Sequence, residues 1–143
     1  MDDITESTAF KLHRVTALLD RVADDYLHSR HGIRYAPFLV LLIARVLGPA
    51  SQQRLAVGLG VSRASVTQRI GALVQTGLLT TERDPSDARA HLVRLTADGG
   101  DLVDRAWTGL ERYQVGLDDG VDDAALAGQL DRILANARRL GLA

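Results

Sequence analysis

The chain has 143 residues, 46% of them hydrophobic and 24% charged, with no cysteine and a formal net charge of -1. That length suits one domain, that apolar content excludes wholesale disorder, and the missing cysteine excludes disulfides, thiolate metal sites and thiol redox sensing. The acidic start, Met1-Asp2-Asp3, is unlike a signal peptide, and the apolar stretch Ala36 to Ala44 falls short of the roughly 20 residues that span a bilayer, so a cytoplasmic protein with no membrane attachment is expected.

Residues 1–50 read as two helices. Phe10, Val15, Leu18, Leu19, Val22 and Tyr26 recur at three- and four-residue steps and form one face of the first, which His31-Gly32 closes. The second begins near Pro37 and carries Phe38, Leu41, Leu42 and Val46 until Gly48-Pro49 stops it. Residues 51–97 change character. Ser51 caps a short helix over Gln52 to Leu59, Gly60 breaks it, and Ser62 caps a second that ends near Thr76-Gly77. Leu78 to Arg83 and His91 to Leu95 read as two strands, joined by the turn-rich segment from Asp84 to Ala90. Two helices around a glycine turn followed by a hairpin make a winged helix-turn-helix order.

In residues 98–143, after a Thr96 cap, Val103, Ala106, Leu110, Tyr113 and Leu117 share one helix face. A break at Asp118-Asp119-Gly120 precedes a final helix with Leu126, Leu130, Ile133, Leu134, Ala137 and Leu140 on one side. A small central domain does not cover such long terminal stripes, and a second copy of the chain does. The predicted fold class is mainly α with a small β-hairpin wing, one domain in which terminal dimerisation helices flank the winged helix-turn-helix.

Charge is partitioned along this order. Sixteen of the 17 basic residues are Arg; six of them (54, 63, 69, 83, 89 and 94) lie between Ser51 and Thr96 beside three acids, Glu82, Asp84 and Asp87. That segment carries +3, and the rest of the chain -4. Arginine suits bidentate contact with phosphates and guanine edges.

Within the helix pair, small Ala56 lets the helices approach, Gly60 makes the turn, and Leu55, Leu59, Val61, Val66, Ile70 and Leu73 form the wedge between them. The outward face of the second helix then carries Ala64, Ser65, Thr67, Gln68 and Gly71, side chains short or amide-bearing enough to enter a major groove. Gln68 suits an adenine edge, and Ala64 or Thr67 a thymine methyl. Ser62 and Arg63 sit where the helix N-terminus meets phosphate, and Arg69, nearer the buried face, is placed for phosphate too. In the wing, Arg89 is suited to a narrow minor groove, with Asp87 two residues earlier to orient its guanidinium.

Leu55-Ala56, Gly60-Val61-Ser62-Arg63, Val66-Thr67, Leu73, Gly77-Leu78, Asp84-Pro85, Asp87-x-Arg89 and Val93-x-Leu95-Thr96-x-x-Gly99 together resemble the MarR family of transcriptional regulators. The resemblance implies a homodimer on a pseudo-palindromic operator, released by a small ligand bound between the dimerisation helices and the winged domain. It also implies that Arg89 is the minor-groove arginine and Asp87 its partner. The chain departs from the family where Gln68 stands for a frequent Arg, Arg69 for an apolar residue, Gly71-Ala72 for Asp-Arg, and Ala88 for a second wing arginine. The cysteine-based peroxide sensing found in one branch has no counterpart here.

For a small aromatic or anionic effector, Arg34, Tyr35, Phe38 and Trp107 are the candidate lining. His28 and His31 stand three apart, but no third ligand is near in sequence, so neither a metal nor another cofactor is expected. No motif of an enzyme appears. The expected function is therefore sequence-specific binding of double-stranded DNA by a ligand-responsive dimeric repressor. The alternative is a winged-helix module for protein contacts that binds no DNA.

Overall fold

The computed structural model describes residues 3–113 and 116–142. Among the described residues the helices are α1 (Thr8–His31), α2 (Tyr35–Leu47), α3 (Gln52–Leu59), α4 (Arg63–Gln75), α5 (Ala97–Arg112) and α6 (Asp123–Arg139). A two-stranded antiparallel hairpin, β1 (Leu79–Asp84) and β2 (Asp87–Leu95), lies between α4 and α5. The mainly α architecture with a hairpin wing agrees with the residue pattern. The chain divides into two compact units, Met1–Arg112 and Tyr113–Ala143.

Local signals place most boundaries. The Ser51 hydroxyl accepts the Arg54 N–H and the Ser62 hydroxyl the Ser65 N–H, each at 3.2 Å, and Thr96 accepts the Gly99 N–H at 3.0 Å. Gly60 closes α3 with φ +67, a left-handed conformation that a side chain resists. The start of α2 differs from expectation, at Tyr35 instead of Pro37. Arg34 supplies no side-chain cap there. The cap comes from α1, where Asp24 Oδ1 accepts the Tyr35 N–H and Oδ2 pairs with Arg34, both at 2.8 Å. The Tyr35 hydrogen bond is the main reason the Asp24 carboxyl stays below the usual carboxylate range.

The wing is tighter than its turn-rich sequence suggests. Strand β2 starts at Asp87, four residues before the expected His91, and only Pro85-Ser86 separates the strands. Asp84 closes this turn by accepting from the Ser86 N–H and hydroxyl, at 2.9 and 2.7 Å, which also lowers its pKa. Pairing then jumps from Arg83–His91 to Asp84–Asp87, so residues 88–90 have no opposite number on β1. At its base the wing is tied to the α2–α3 connection by reciprocal backbone bonds between Ala50 and Val93, at 3.1 and 2.8 Å.

The core of the first unit gathers Leu27, Phe38, Val40, Leu41, Leu55, Val66, Leu79 and Val93, all fully buried. Val61 is not part of the α3–α4 wedge: it sits in the turn and is exposed. The N-terminal half of α1 leaves Val15 and Leu19 half exposed, and only Ala23, Tyr26 and Leu27 of that helix are buried. Helix α5 ends at Arg112, so Tyr113 and Leu117 do not extend its stripe; Leu117 lies in a turn beyond Gly116, whose φ of +78 breaks helical geometry. In the second unit α6 has no buried residue, and Leu126, Leu130, Ile133 and Leu134 are all exposed. Among the described residues no helix is long and apolar enough to cross a membrane.

Two helical glycines contrast. A Cβ on Gly99 would collide with the Leu78 carbonyl oxygen, so α5 sits against the α4–β1 turn only because that position is bare. A Cβ on Gly71 would meet nothing within 4 Å. Gly99→Ala is expected to destabilise the protein by about 1–3 kcal/mol in urea denaturation. Gly71→Ala is expected to stabilise it by about 0.4–1 kcal/mol in the same measurement.

Candidate nucleic-acid interface

Helix α4 is held by burial of Val66, Ile70 and Leu73, against a wedge that includes buried Leu55 and Ala56 of α3. A helix turns about 100° per residue, so burying these three leaves one defined face outside. Ser62, Arg63, Ala64, Thr67 and Gln68 are exposed; Ser65 and Arg69 are half-buried at its margins. The sequence placed Arg69 near the margin, and the structure does the same. Thr67 bonds inside the protein: its hydroxyl donates to Gln52 Oε1 at 2.6 Å and lies 2.9 Å from the Arg63 carbonyl oxygen.

The charges of this segment are unbalanced in a specific way. Glu82 pairs with Arg94 at 2.8 Å, Asp84 closes the wing turn, and Asp87 Oδ1 accepts the Arg89 N–H at 3.0 Å. All three acids between Ser51 and Thr96 therefore have partners. Among the described residues Arg54, Arg63, Arg69, Arg83 and Arg89 enter no ion pair. The expected link from Asp87 to the Arg89 guanidinium is replaced by the bond to its main chain. A carboxylate reaches the N–H two residues on more readily than a flexible guanidinium, and so fixes the backbone that carries Arg89.

Arg63 and Arg89, at the start of α4 and in the wing, line one open cavity of about 360 Å³ with Ser51, Gln52, Thr81 and His91. This surface faces the first turns of α3 and α4, whose N–H groups and dipoles add to the arginine charge. Gln52, Thr81 and His91 were not singled out by sequence. Gln52 follows a recognisable Ser51 cap, but its approach to Thr67 spans 15 residues and leaves no local signal.

None of the cavities described among the described residues is lined by all four candidate effector residues. Phe38 is fully buried in the core, and Tyr35 is half-buried, with its pKa raised by burial and by the nearby Asp20 charge. Trp107 lines an apolar groove with Leu42, Ile43, Val46 and Leu59, beside the 2.7 Å Arg45–Asp104 pair. Arg34 lines a different cleft, of about 490 Å³, with His31, Ala72, Leu73, Leu102 and Arg105. Of the predicted apolar face of α2, Phe38 and Leu41 are core, whereas Val46 is exposed and with Leu42 lines the Trp107 groove. Burial, aided by the Arg105 and Arg30 charges, lowers the His31 pKa, and its ring lies 5.7 Å from that of Tyr26. Among the described residues no three His, Asp or Glu side chains converge as metal ligands.

Comparison with known proteins places this geometry. The MarR family model matches residues 31–90, from the end of α1 into the wing. The chain is 28% identical over 102 residues to YkoM, a helix-turn-helix-type transcriptional regulator of Bacillus subtilis (strain 168), and the match covers 69% of this chain and 66% of that protein. CouR of Rhodococcus jostii RHA1, solved with p-coumaroyl-CoA, is similar over 96% of each chain, with a TM-score of 0.83 and 22% identity. The repressor CouR on a 23-mer DNA duplex gives a TM-score of 0.76 at 26% identity, again over 96% of each chain. The winged helix-turn-helix and its flanking helices share the fold of these regulators, and residues 31–90 match the MarR family model.

Proposed function

We propose that the protein is a homodimeric transcriptional repressor that binds a pseudo-palindromic DNA operator in the cytoplasm and leaves it when a small ligand binds. The observation that carries this reading is the charge state of residues 51–96. Every acid there has a partner within the protein, and five guanidinium groups have none among the described residues. Guanidinium groups on the reading helix and wing suit a polyanion, and phosphate neutralisation supplies most of the affinity and its salt dependence. The face of α4 enters the major groove, with Ala64, Thr67 and Gln68 at base edges and Ser62, Arg63, Ser65 and Arg69 at its margins and the backbone. Arg89 enters the flanking minor groove from a wing backbone fixed by Asp87.

The exposed apolar residues of α1 and, separately, of α6 support a dimer, since unburied apolar helix stripes mark interaction sites. Two copies present two reading helices about one DNA turn apart. As a MarR-family regulator the protein acts by binding and not by catalysis. For the ligand, the cleft beside Arg34 is favoured over the Trp107 groove. Its walls combine the recognition helix (Ala72, Leu73) with the end of α1 and with α5, so an occupant displaces one against the other. Arg105 forms no ion pair among the described residues, and it suits an anionic, partly apolar molecule.

Fluorescence anisotropy with a selected operator tests the DNA reading. Arg89→Ala is expected to weaken binding at least tenfold and to make the logarithmic salt slope about two units shallower, one phosphate neutralised per protomer. An unchanged slope would remove Arg89 from the interface, and a wild-type chain that ignores duplex DNA would favour the protein-contact module. Analytical ultracentrifugation tests assembly: the wild type should sediment as a dimer, and Leu130→Glu with Leu134→Glu as a 15.5 kDa monomer. A calorimetric screen of aromatic carboxylates tests the cleft. A ligand that releases DNA from the wild type should bind Arg105→Gln about tenfold more weakly, with ligand-free DNA affinity within twofold.

A further inference from the structure

Thr67 occupies the exposed reading face of α4, yet its one polar group is turned away from that face. The hydroxyl has a single proton and two protein acceptors, Gln52 Oε1 at 2.6 Å and the Arg63 carbonyl at 2.9 Å. Whichever oxygen takes the proton, it is directed at a protein acceptor and not outward. What Thr67 has left to offer outside is its methyl group. Gln52, half-buried in the first turn of α3, thereby uses its amide oxygen and keeps its Nε2 hydrogens. It lines the same cavity as Arg63 and Arg89, where those hydrogens have a phosphate within reach in a bound complex.

We propose that Gln52 is a positioning residue that sets base specificity: by holding the Thr67 hydroxyl inward it makes Thr67 select thymine through methyl-to-methyl contact. In the major groove thymine alone presents an apolar group, its 5-methyl, while the facing edges of adenine, guanine and cytosine present donors or acceptors that a methyl leaves unpaired. This rests on the DNA-binding reading and adds to it the chemistry of one base position per half-site.

The test starts from duplexes selected by the wild-type chain from a random pool. Each thymine is then replaced by deoxyuridine, which lacks only the methyl, and affinity is measured by anisotropy. At one position per half-site, uracil is expected to weaken the wild type about fourfold, the worth of one buried methyl. Thr67→Val, which keeps the methyl, should show the same thymine-to-uracil ratio, and Thr67→Ser, which keeps only the hydroxyl, a ratio near one. Gln52→Ala should shrink the ratio. Gln52→Glu should restore it, because its carboxylate still accepts the hydroxyl, while weakening affinity for every sequence by repelling phosphate. A merely structural role for Gln52 would move affinity and leave the ratio alone. Duplex retained with no uracil effect, or Thr67→Ser as sensitive as wild type, would overturn this inference and leave the DNA-binding reading standing. Failure to retain any duplex would overturn both.

Discussion

The contact on which the rest depends is the packing of α4 against α3. With Val66, Ile70 and Leu73 buried against Leu55 and Ala56, the rotation of α4 about its axis is no longer free. A turn of one residue, about 100°, would expose Val66 and bury Thr67. The observed rotation sets the Thr67 hydroxyl 2.6 Å from Gln52 Oε1 and brings Arg63 to the cavity that Arg89 lines from the wing. The wing joins this frame through the Ala50–Val93 backbone bonds and the close seat of α5 at Gly99. The candidate interface is thus one surface built from three separate segments, with its groups positioned by the apolar packing beneath them.

Electrostatics then act on a surface whose geometry is already set. A net charge of -1 describes the chain poorly, since +3 resides in residues 51–96 and -4 elsewhere. Even the local sum understates the effect, because Glu82, Asp84 and Asp87 are engaged in an ion pair, a turn and a backbone bond. Unpaired guanidinium groups, two of which (Arg63 and Arg89) line one cavity, do nothing for folding, whereas exposed ion pairs contribute roughly 0–1 kcal/mol each. Such unpaired charge is best understood through an external anion, and a duplex carries one phosphate charge per about 1.7 Å of axis.

Features encoded locally were legible in the sequence. The serine and threonine caps, the Gly60 turn and the buried stripe of α4 all follow from spacings of four residues or fewer, and each stands where the pattern put it. What escaped was encoded at a distance. Asp24 caps α2 from another helix, so Tyr35 carried no local start signal. The Asp84 turn shortens a connection that composition alone makes look long. The stripe from Val103 to Leu117 continues a helical spacing past the point where the α5 backbone ends. Phe38 and Trp107 carry the same residue chemistry in a core and in a groove, and only burial tells the two apart. The Gln52–Thr67 bond, across 15 residues, belongs to the same class.

The central claim is that two copies place two α4 faces in successive major grooves with Arg89 in the minor grooves beside them. Hydroxyl-radical footprinting of a selected duplex tests it most directly. The account requires two protected patches related by a two-fold axis and centred about 10 base pairs apart, with protection extending into the flanking minor grooves and lost there for Arg89→Ala. A single patch, or even protection without symmetry, would contradict the dimeric reading geometry derived from these helices.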